Sequence, residues 1–321
     1  MNQVLDLLKE GVLAHSAGDL AEAARLYGEV LELEPDNASA HNNVGFVMAQ
    51  RRQWQEALVH LRTALRLNPD MSMAHCNIGQ VLLNTGQAGE GLAHLEQAVA
   101  CDPENVTAWD NLARIRVLLG DFQGGEYAAI RALKLKPDDA HLHTRLGIAV
   151  AAQNRLPEAI ACYQRALELD RFYAEAWAQL GITLFLNNDL GSARQTLETA
   201  LSLRPDDNNA LRHLALVALS SGQRDQALDL FQQLLDRDPE DQASRLDLAV
   251  IYLSARQTEA AAEQLNGISG AVRDSNKFKF YQALTLQQAG ENEQAKTLLW
   301  QLAELTDDSY GEKARQLLLV A

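Results

Sequence analysis

Three asparagines, Asn43, Asn77 and Asn111, recur at one fixed spacing of 34 residues. A side-chain amide offers one acceptor and two donors, so it can bond both the carbonyl and the N–H of an extended peptide. A row of such amides would therefore hold a peptide backbone without reading its side chains. The alternative is that each asparagine is a solvated polar residue on a helix face.

No pattern of reactive residues in the sequence predicts catalysis. The sequence has no glycine-rich phosphate loop, no nucleophile elbow and no paired-histidine zinc motif. Its three cysteines, Cys76, Cys101 and Cys162, include no close pair, which argues against a disulfide framework or a zinc site and favours a reduced, cytoplasmic protein. We therefore expect a non-enzyme with no cofactor and no metal.

The charge balance limits the partners of the chain. A net charge of −15 over 321 residues is unfavourable for nucleic acid, because phosphate binding needs basic side chains that replace counterions. No stretch approaches the ~18 unbroken apolar residues of a membrane span, and the N-terminus does not resemble a signal peptide. We expect a protein or peptide partner, no nucleic acid and no membrane insertion.

The elements that must position the asparagines also repeat every 34 residues. Prolines mark the end of most repeats: Pro35, Pro69, Pro103, Pro137, Pro205 and Pro239. A second slot favours glycine or asparagine, which predicts a helix stop: Gly18, Arg52, Gly86, Gly120, Asn154, Asn188, Gly222, Arg256 and Gly290. Two further slots, which contain Gly45 and Ala57 in the second repeat and Gly79 and Gly91 in the third, hold only glycine or alanine in every repeat. Residues kept this small indicate that two helices touch there backbone to backbone. Each repeat is thus predicted to be a helix, a tight turn and a second helix.

One repeat carries a recognisable motif. It runs from Ala174 and contains Trp177, Leu180, Gly181, Leu184, Ala193, Leu197 and Pro205. This resembles the tetratricopeptide repeat family, whose pattern is W-x2-L-G-x2-Y, then A-x3-F, then P. The resemblance covers nearly the whole chain.

The resemblance implies an all-α fold, a right-handed superhelix of about nine helix-turn-helix repeats that stack because none can bury its apolar stripe alone. Residues 1–321 would form one solenoid. The repeats would start near residues 4, 38, 72, 106, 140, 174, 208, 242 and 276, with a capping helix at about 310–321. Gly267 and Gly270 predict that the second helix of the eighth repeat ends early, with few apolar residues between Leu265 and Phe278 to repair the contact.

The candidate binding surface follows from the same resemblance. With the first residue of each repeat as position 1, positions 2, 6, 9 and 13 form the stripe that the family turns into its concave groove. The asparagines occupy position 6, and their slot is similar to the asparagine ladder of O-GlcNAc transferases. The candidate partner-binding residues are Asn43, Asn77, Asn111, Phe46, Gln80, Arg114, Arg145, Ile148, Gln179, Ile182, Phe185 and Leu216.

The later repeats carry apolar residues in this groove, at position 9 (Ile148, Ile182 and Leu216) and at position 12 (Phe185). Either tight winding buries this strip or it receives a partner helix or an apolar peptide. The leading functional hypothesis is a non-enzymatic scaffold whose groove binds a peptide or helix of a partner. The alternatives are a self-assembling homo-oligomer and an accessory subunit that presents substrates to a glycosyltransferase or polysaccharide machine.

Overall fold

A computed structural model of the chain, which describes residues 3–306 and 308–320, contains twenty α-helices and no strand within those residues. The first ten are α1 (Gln3–Ser16), α2 (Leu20–Leu33), α3 (Ala38–Gln50), α4 (Trp54–Leu67), α5 (Ser72–Asn84), α6 (Ala88–Cys101), α7 (Val106–Leu118), α8 (Phe122–Leu135), α9 (Ala140–Ala151) and α10 (Leu156–Leu169). The others are α11 (Ala174–Leu186), α12 (Leu190–Leu203), α13 (Asn208–Ser220), α14 (Arg224–Arg237), α15 (Gln242–Ser254), α16 (Thr258–Asn266), α17 (Gly270–Asp274), α18 (Asn276–Gln288), α19 (Asn292–Ala303) and α20 (Ser309–Val320).

The chain divides into two compact units, Met1–Thr183 and Leu184–Ala321. In the first unit α1 pairs with α2, α3 with α4, α5 with α6, α7 with α8 and α9 with α10. In the second unit α13 pairs with α14, α15 with α16, and α18 with α19. The predicted all-α fold of consecutive helix pairs is confirmed. That the whole chain forms one solenoid stays a prediction.

The helix α20 lies where the capping helix is predicted. Ala321, the last residue of that predicted helix, lies outside the described residues, as do Met1, Asn2 and Asp307.

The turn inside each helix pair is made by one residue in the left-handed conformation. All nine residues of the predicted stop slot have positive φ: Gly18, Arg52, Gly86, Gly120, Asn154, Asn188, Gly222, Arg256 and Gly290. At Arg52 and Arg256 a longer side chain adopts a backbone angle that glycine adopts freely. The predicted helix stop is therefore confirmed in every repeat, whichever residue fills the slot.

The two small-residue slots bring the paired helices into direct contact. A Cβ atom added to Gly79 would lie 2.6 Å from Cγ of Leu95 and 3.1 Å from the carbonyl oxygen of Gly91. One added to Gly45 would lie 3.0 Å from the carbonyl oxygen of Ala57. These distances are too short for a side chain, so the predicted backbone-to-backbone contact is confirmed.

A hydrogen bond at position 4 joins the first helix of a repeat to the turn before it. A side-chain N–H donates to the backbone carbonyl six residues earlier, at 2.6 to 3.0 Å. The donors are His41, His75, Trp109, His143, Trp177 and Arg245. The recurring histidines thus have a structural role that any N–H donor of suitable length can fill.

Two of these histidines also meet a second histidine from the partner helix of the pair. Nδ1 of His41 lies 3.0 Å from Nδ1 of His60, and Nδ1 of His75 lies 3.1 Å from Nδ1 of His94. Because Nε2 of His41 donates to a carbonyl, its Nδ1 accepts in the neutral ring, and His60 must donate. Burial, reinforced by the charge of the facing ring, lowers the pKa of His60 and of His94.

The eighth repeat departs from the others as the sequence predicts. Its second helix, α16, ends at Asn266 after nine residues, and the short helix α17 follows before α18. Few apolar residues lie between Leu265 and Phe278, but one of them, Ile268, is only 1% exposed and packs with both. One buried isoleucine thus takes over part of the contact that the missing helical turn would make.

We predict that Gly79→Ala destabilises the protein by about 1–3 kcal/mol, because the new methyl group overpacks the contact between α5 and α6. Gly28→Ala is the matched control, since a Cβ there would meet no atom within 4 Å. It should leave stability unchanged or raise it by up to about 1 kcal/mol. Urea unfolding followed by circular dichroism measures both. Equal effects from the two substitutions would contradict the close contact.

The two histidine pairs predict a pH dependence of stability. Because the folded pKa values of His60 and His94 are lowered, the unfolded chain binds more protons below pH ~6.5, and the stabilisation is lost as the pH falls through the folded values. Replacing both residues with glutamine should flatten the change in urea midpoint between about pH 7 and pH 5. His143→Gln is the control, because the residue that faces it in the repeat is Cys162 and not a second histidine. An unchanged slope in the double variant would rule out the pairs as its source.

Candidate functional site

Three side chains at position 6 in the first unit bind back to position 5 of the preceding repeat. The amide of Asn77 donates to Oδ1 of Asn42 at 2.9 Å, and that of Asn111 lies 3.5 Å from the sulfur of Cys76. The same offset of 35 residues joins Nε of Arg145 to Oδ1 of Asp110 at 2.9 Å. Position 6 therefore supplies ties between neighbouring repeats.

Because of these contacts, the asparagines do not form an open row. Asn77 is 7% exposed and Asn111 is 5% exposed, so the expected exposure to a groove is not found at these two residues. Asn43 is half-buried and accepts from Asn42 at 3.1 Å, which links it through Asn42 to Asn77. The side-chain NH2 groups of Asn77 and Asn111 are thus already engaged inside the repeat array.

Position 9 lies one helical turn further along each first helix. In the first repeat it is Val12, which is exposed. Leu216 at this position in the second unit is half-buried, and so are the side chains in the other first helices of the first unit: Phe46, Gln80, Arg114, Ile148 and Ile182. Gln179 at position 6 and Phe185 at position 12 are half-buried as well. The apolar residues predicted for this surface are therefore neither fully open nor fully buried.

A charged cluster occupies this face in the first unit. Asp110 accepts from Nε of Arg145 and from Nε2 of His141, both at 2.9 Å. Nδ1 of His141 lies 3.0 Å from the hydroxyl of Tyr173, which itself donates to Glu175 at 2.8 Å. Because that hydroxyl proton goes to Glu175, the set of bonds is complete when both nitrogens of His141 carry a proton.

The charged groups in this cluster shift one another's pKa values. The hydrogen bond to Asp110 raises the pKa of His141, although burial opposes the rise. Burial alone would raise the pKa of Asp110, but the hydrogen bond from His141 and the charge of Arg145 outweigh it and hold that pKa below its usual value. The cluster thus favours the charged forms of both groups.

Arg114 lies beside this cluster without an acceptor of its own. Its Nε and Nη2 atoms are shielded from solvent and have no hydrogen-bond partner among residues 3–306 and 308–320. Burial, followed by the like charge of Arg145, lowers its pKa, while Asp110 and Glu175 act in the opposite direction. The guanidinium is therefore the cation in this group with unused donors.

The second unit repeats the same device with the charges exchanged. Asp247 at position 6 is 6% exposed and accepts from Nη2 of Arg212 and from Nζ of Lys277, both at 2.6 Å. Arg212 stands at position 5 of the preceding repeat, so the offset is again 35 residues. The sequence reasoning missed both clusters, although opposite charges at positions 5 and 6 of successive repeats are visible in the sequence.

The cysteines, histidines and acids were also candidates for a metal or redox site, and the helices for a membrane span. In the described part of the chain, no group of three or more histidines, cysteines or acids could hold a metal ion. The three cysteines are free, and Cys76 is buried, which raises the pKa of its thiol to about 11. Within residues 3–306 and 308–320, no helix has the length and apolar character needed to cross a membrane.

Comparison with known families identifies the repeat. Models described as tetratricopeptide repeat match residues 48–115, 218–284 and 174–207. A model described as TPR repeat matches residues 13–51 and 149–188. Together these segments extend over more than half of the chain. A comparison with curated proteins finds no match.

Solved structures agree at the level of fold. A thermophilic TPR protein from Thermus thermophilus, TTC0263, matches at 24% identity and a TM-score of 0.52, covering 57% of this chain and 99% of its own. A tetratricopeptide repeat protein from Parabacteroides merdae matches at 14% identity and a TM-score of 0.62, covering 78% and 98%. A human IFIT1 dimer with m7Gppp-AAAA matches at 15% identity and a TM-score of 0.66, covering 97% and 79%.

At identities this low, the structural similarity establishes the fold alone. It does not show that these proteins share a ligand. The family models, the left-handed stop in all nine repeats and the consecutive helix pairs agree with one another. The chain belongs to the tetratricopeptide repeat family.

Proposed function

We propose that this protein is a non-catalytic interaction scaffold that binds a peptide or helix of a partner protein on its first-helix face. Tetratricopeptide repeat proteins typically bind other proteins and are generally non-catalytic. The observation that carries the proposal is the row of half-buried side chains at position 9, Phe46, Gln80, Arg114, Ile148 and Ile182, on successive first helices of one unit.

A half-buried row of this kind suits peptide binding. A side chain that is already ordered by packing loses little conformational entropy when a partner covers its remaining surface. Phe46 shows this ordering, since its ring packs edge-to-face on His15 with the centroids 5.0 Å apart. The row changes from aromatic and polar to aliphatic at Ile148 and Ile182, so a partner would meet two kinds of surface.

In this proposal the position-6 residues line the border of the binding face. Asn43 and Gln179 are half-buried and can still contact a partner, whereas Asn77, Asn111 and Arg145 mainly fix the spacing of the helices that carry position 9. Phe185 and Leu216 would contribute an apolar surface within the second unit. We also propose a cytoplasmic location and no role in nucleic-acid binding, on the grounds of the free cysteines and the net charge of −15.

The test uses a random peptide library displayed with its C-terminus fused to the carrier. We expect the full-length protein to select a family of peptides, and Ile148→Ala to weaken binding of a selected peptide about tenfold, because a buried aliphatic contact is lost. Ile130→Ala, on the second helix α8, is the matched control and should leave affinity unchanged. Failure to select any peptide, or equal binding by both variants, would overturn the proposal.

A second candidate function is self-assembly through the first helix. At position 10 the other repeats hold residues that are 0 to 5% exposed: Val47, Val81, Ile115, Ala149, Thr183, Val217, Ile251 and Thr285. In α1 the same position is Leu13, which is 69% exposed, with Val12 and Leu5 also exposed beside it. This helix thus offers an apolar face of the kind that stacking covers elsewhere.

If α1 mediates self-assembly, the mass measured by light scattering should rise with concentration across the micromolar range. Leu13→Glu should then restore the monomer, because a buried carboxylate at a subunit contact is unfavourable. Val59→Glu, on the exposed surface of α4, serves as the control for added charge. A purified protein that stays monomeric over this range would exclude the candidate.

A further inference from the structure

Arg114 is the side chain whose bonding is least complete on the first-helix face. Two of its nitrogens are buried and lack an acceptor in the described part of the chain. A buried charged donor without a partner is energetically unfavourable. A ligand acceptor that binds it therefore gains more free energy than one that binds a solvated arginine, where it only replaces water. The residue as a whole is half-buried, so a ligand can approach it from outside.

The acidic groups around Arg114 already have other partners. Asp110 accepts from Arg145 through one oxygen and from His141 through the other. Glu175 accepts the hydroxyl proton of Tyr173. All of these residues lie on the first helices α7, α9 and α11 or on the turn before α11, so the guanidinium lies on the surface that those helices share.

We propose that Arg114 receives a carboxylate from the partner segment, so that the bound peptide carries an aspartate or glutamate at this point. The inference rests on the proposed function, because it assigns chemistry to one position of the same face. Guanidinium and carboxylate match in shape and can form two parallel hydrogen bonds. The Nε and Nη2 atoms of Arg114 are covered in the unbound protein, so this binding requires the arginine side chain to rotate toward the ligand.

The side chains next to Arg114 determine which other residues the bound peptide should contain. Ile148 and Ile182 occupy the same position on α9 and α11, and α7 contacts α9 directly. Packed helices lie about 8–10 Å apart, and an extended peptide advances about 3.3 Å per residue. An apolar residue roughly three positions from the acidic one would therefore reach Ile148. The preferred segment is an acidic residue followed or preceded, at that distance, by an aliphatic one.

The experiment uses the displayed library described above on the full-length protein. Fusion of the peptide C-terminus means that only side chains can supply a carboxylate. We expect the selected peptides to share an aspartate or glutamate at one position, and Arg114→Gln to select peptides without that preference. Arg116→Gln is the matched control, because Arg116 donates to Glu96 on the second helix α6 and should leave the preference intact.

A double-mutant cycle then tests the contact itself. Replacing the shared acidic residue of a selected peptide with its amide should weaken binding to the original protein at least tenfold, and should have no further effect on Arg114→Gln. Arg114→Lys, which keeps the charge and loses the paired geometry, should give an intermediate value. It also provides a second variant if Arg114→Gln folds poorly.

The outcomes separate the two proposals. Selected peptides without an acidic preference would overturn the role of Arg114 and leave the scaffold function standing. An acidic preference that survives in Arg114→Gln would have the same meaning. If no peptide is selected at all, the scaffold function itself fails.

Discussion

The close approach of the two helices in each pair is the constraint on which the other features depend. At Gly45, Gly79 and Gly147 there is no room for a Cβ, because the opposite helix presents either a backbone carbonyl or a large side chain. Gly147 illustrates the second case, since a Cβ there would lie 2.4 Å from Cε1 of Tyr163, a ring that is fully buried. Once this contact is made, the position of every other side chain on the first helix is determined relative to the second. The histidine pairs at 3.0 and 3.1 Å are one result of that alignment.

The second level of organisation is the tie between neighbouring repeats. Position 6 of one repeat reaches position 5 of the repeat before it, with an amide, an amide–thiol contact or an ion pair as the link. A buried ion pair adds little stability compared with apolar packing, but the loss of one partner is strongly unfavourable. These links therefore act mainly on spacing and specificity, and they leave position 9 as the row whose side chains keep unused surface.

Much of the fold could be predicted because the repeat makes each inference nine times over. The stop slot and the small-residue contacts follow from residue types at fixed spacing. The early end of α16 at Asn266 follows from two glycines, Gly267 and Gly270, that occur in this repeat alone. The candidate surface was harder to predict, because exposure depends on neighbours in space. Asn77 looks like a groove residue on a single helix, yet the amide of Asn42 in the preceding repeat covers it. Ile268 was likewise missed, because its burial depends on a contact with Phe278 across a break in the helix.

The offset between positions 5 and 6 has a consequence for how such a chain can change in evolution. A repeat array grows or shrinks by gain or loss of whole units of 34 residues, and such events preserve the backbone register. Loss of residues 106–139 would keep that register but bring Arg145 opposite Cys76, in place of Asp110. A guanidinium would then lie against a thiol without its acid. The repeats therefore share one backbone conformation but differ in the side-chain contacts that link them to their neighbours. Each unit is adapted to its own two neighbours and cannot be exchanged freely with the others.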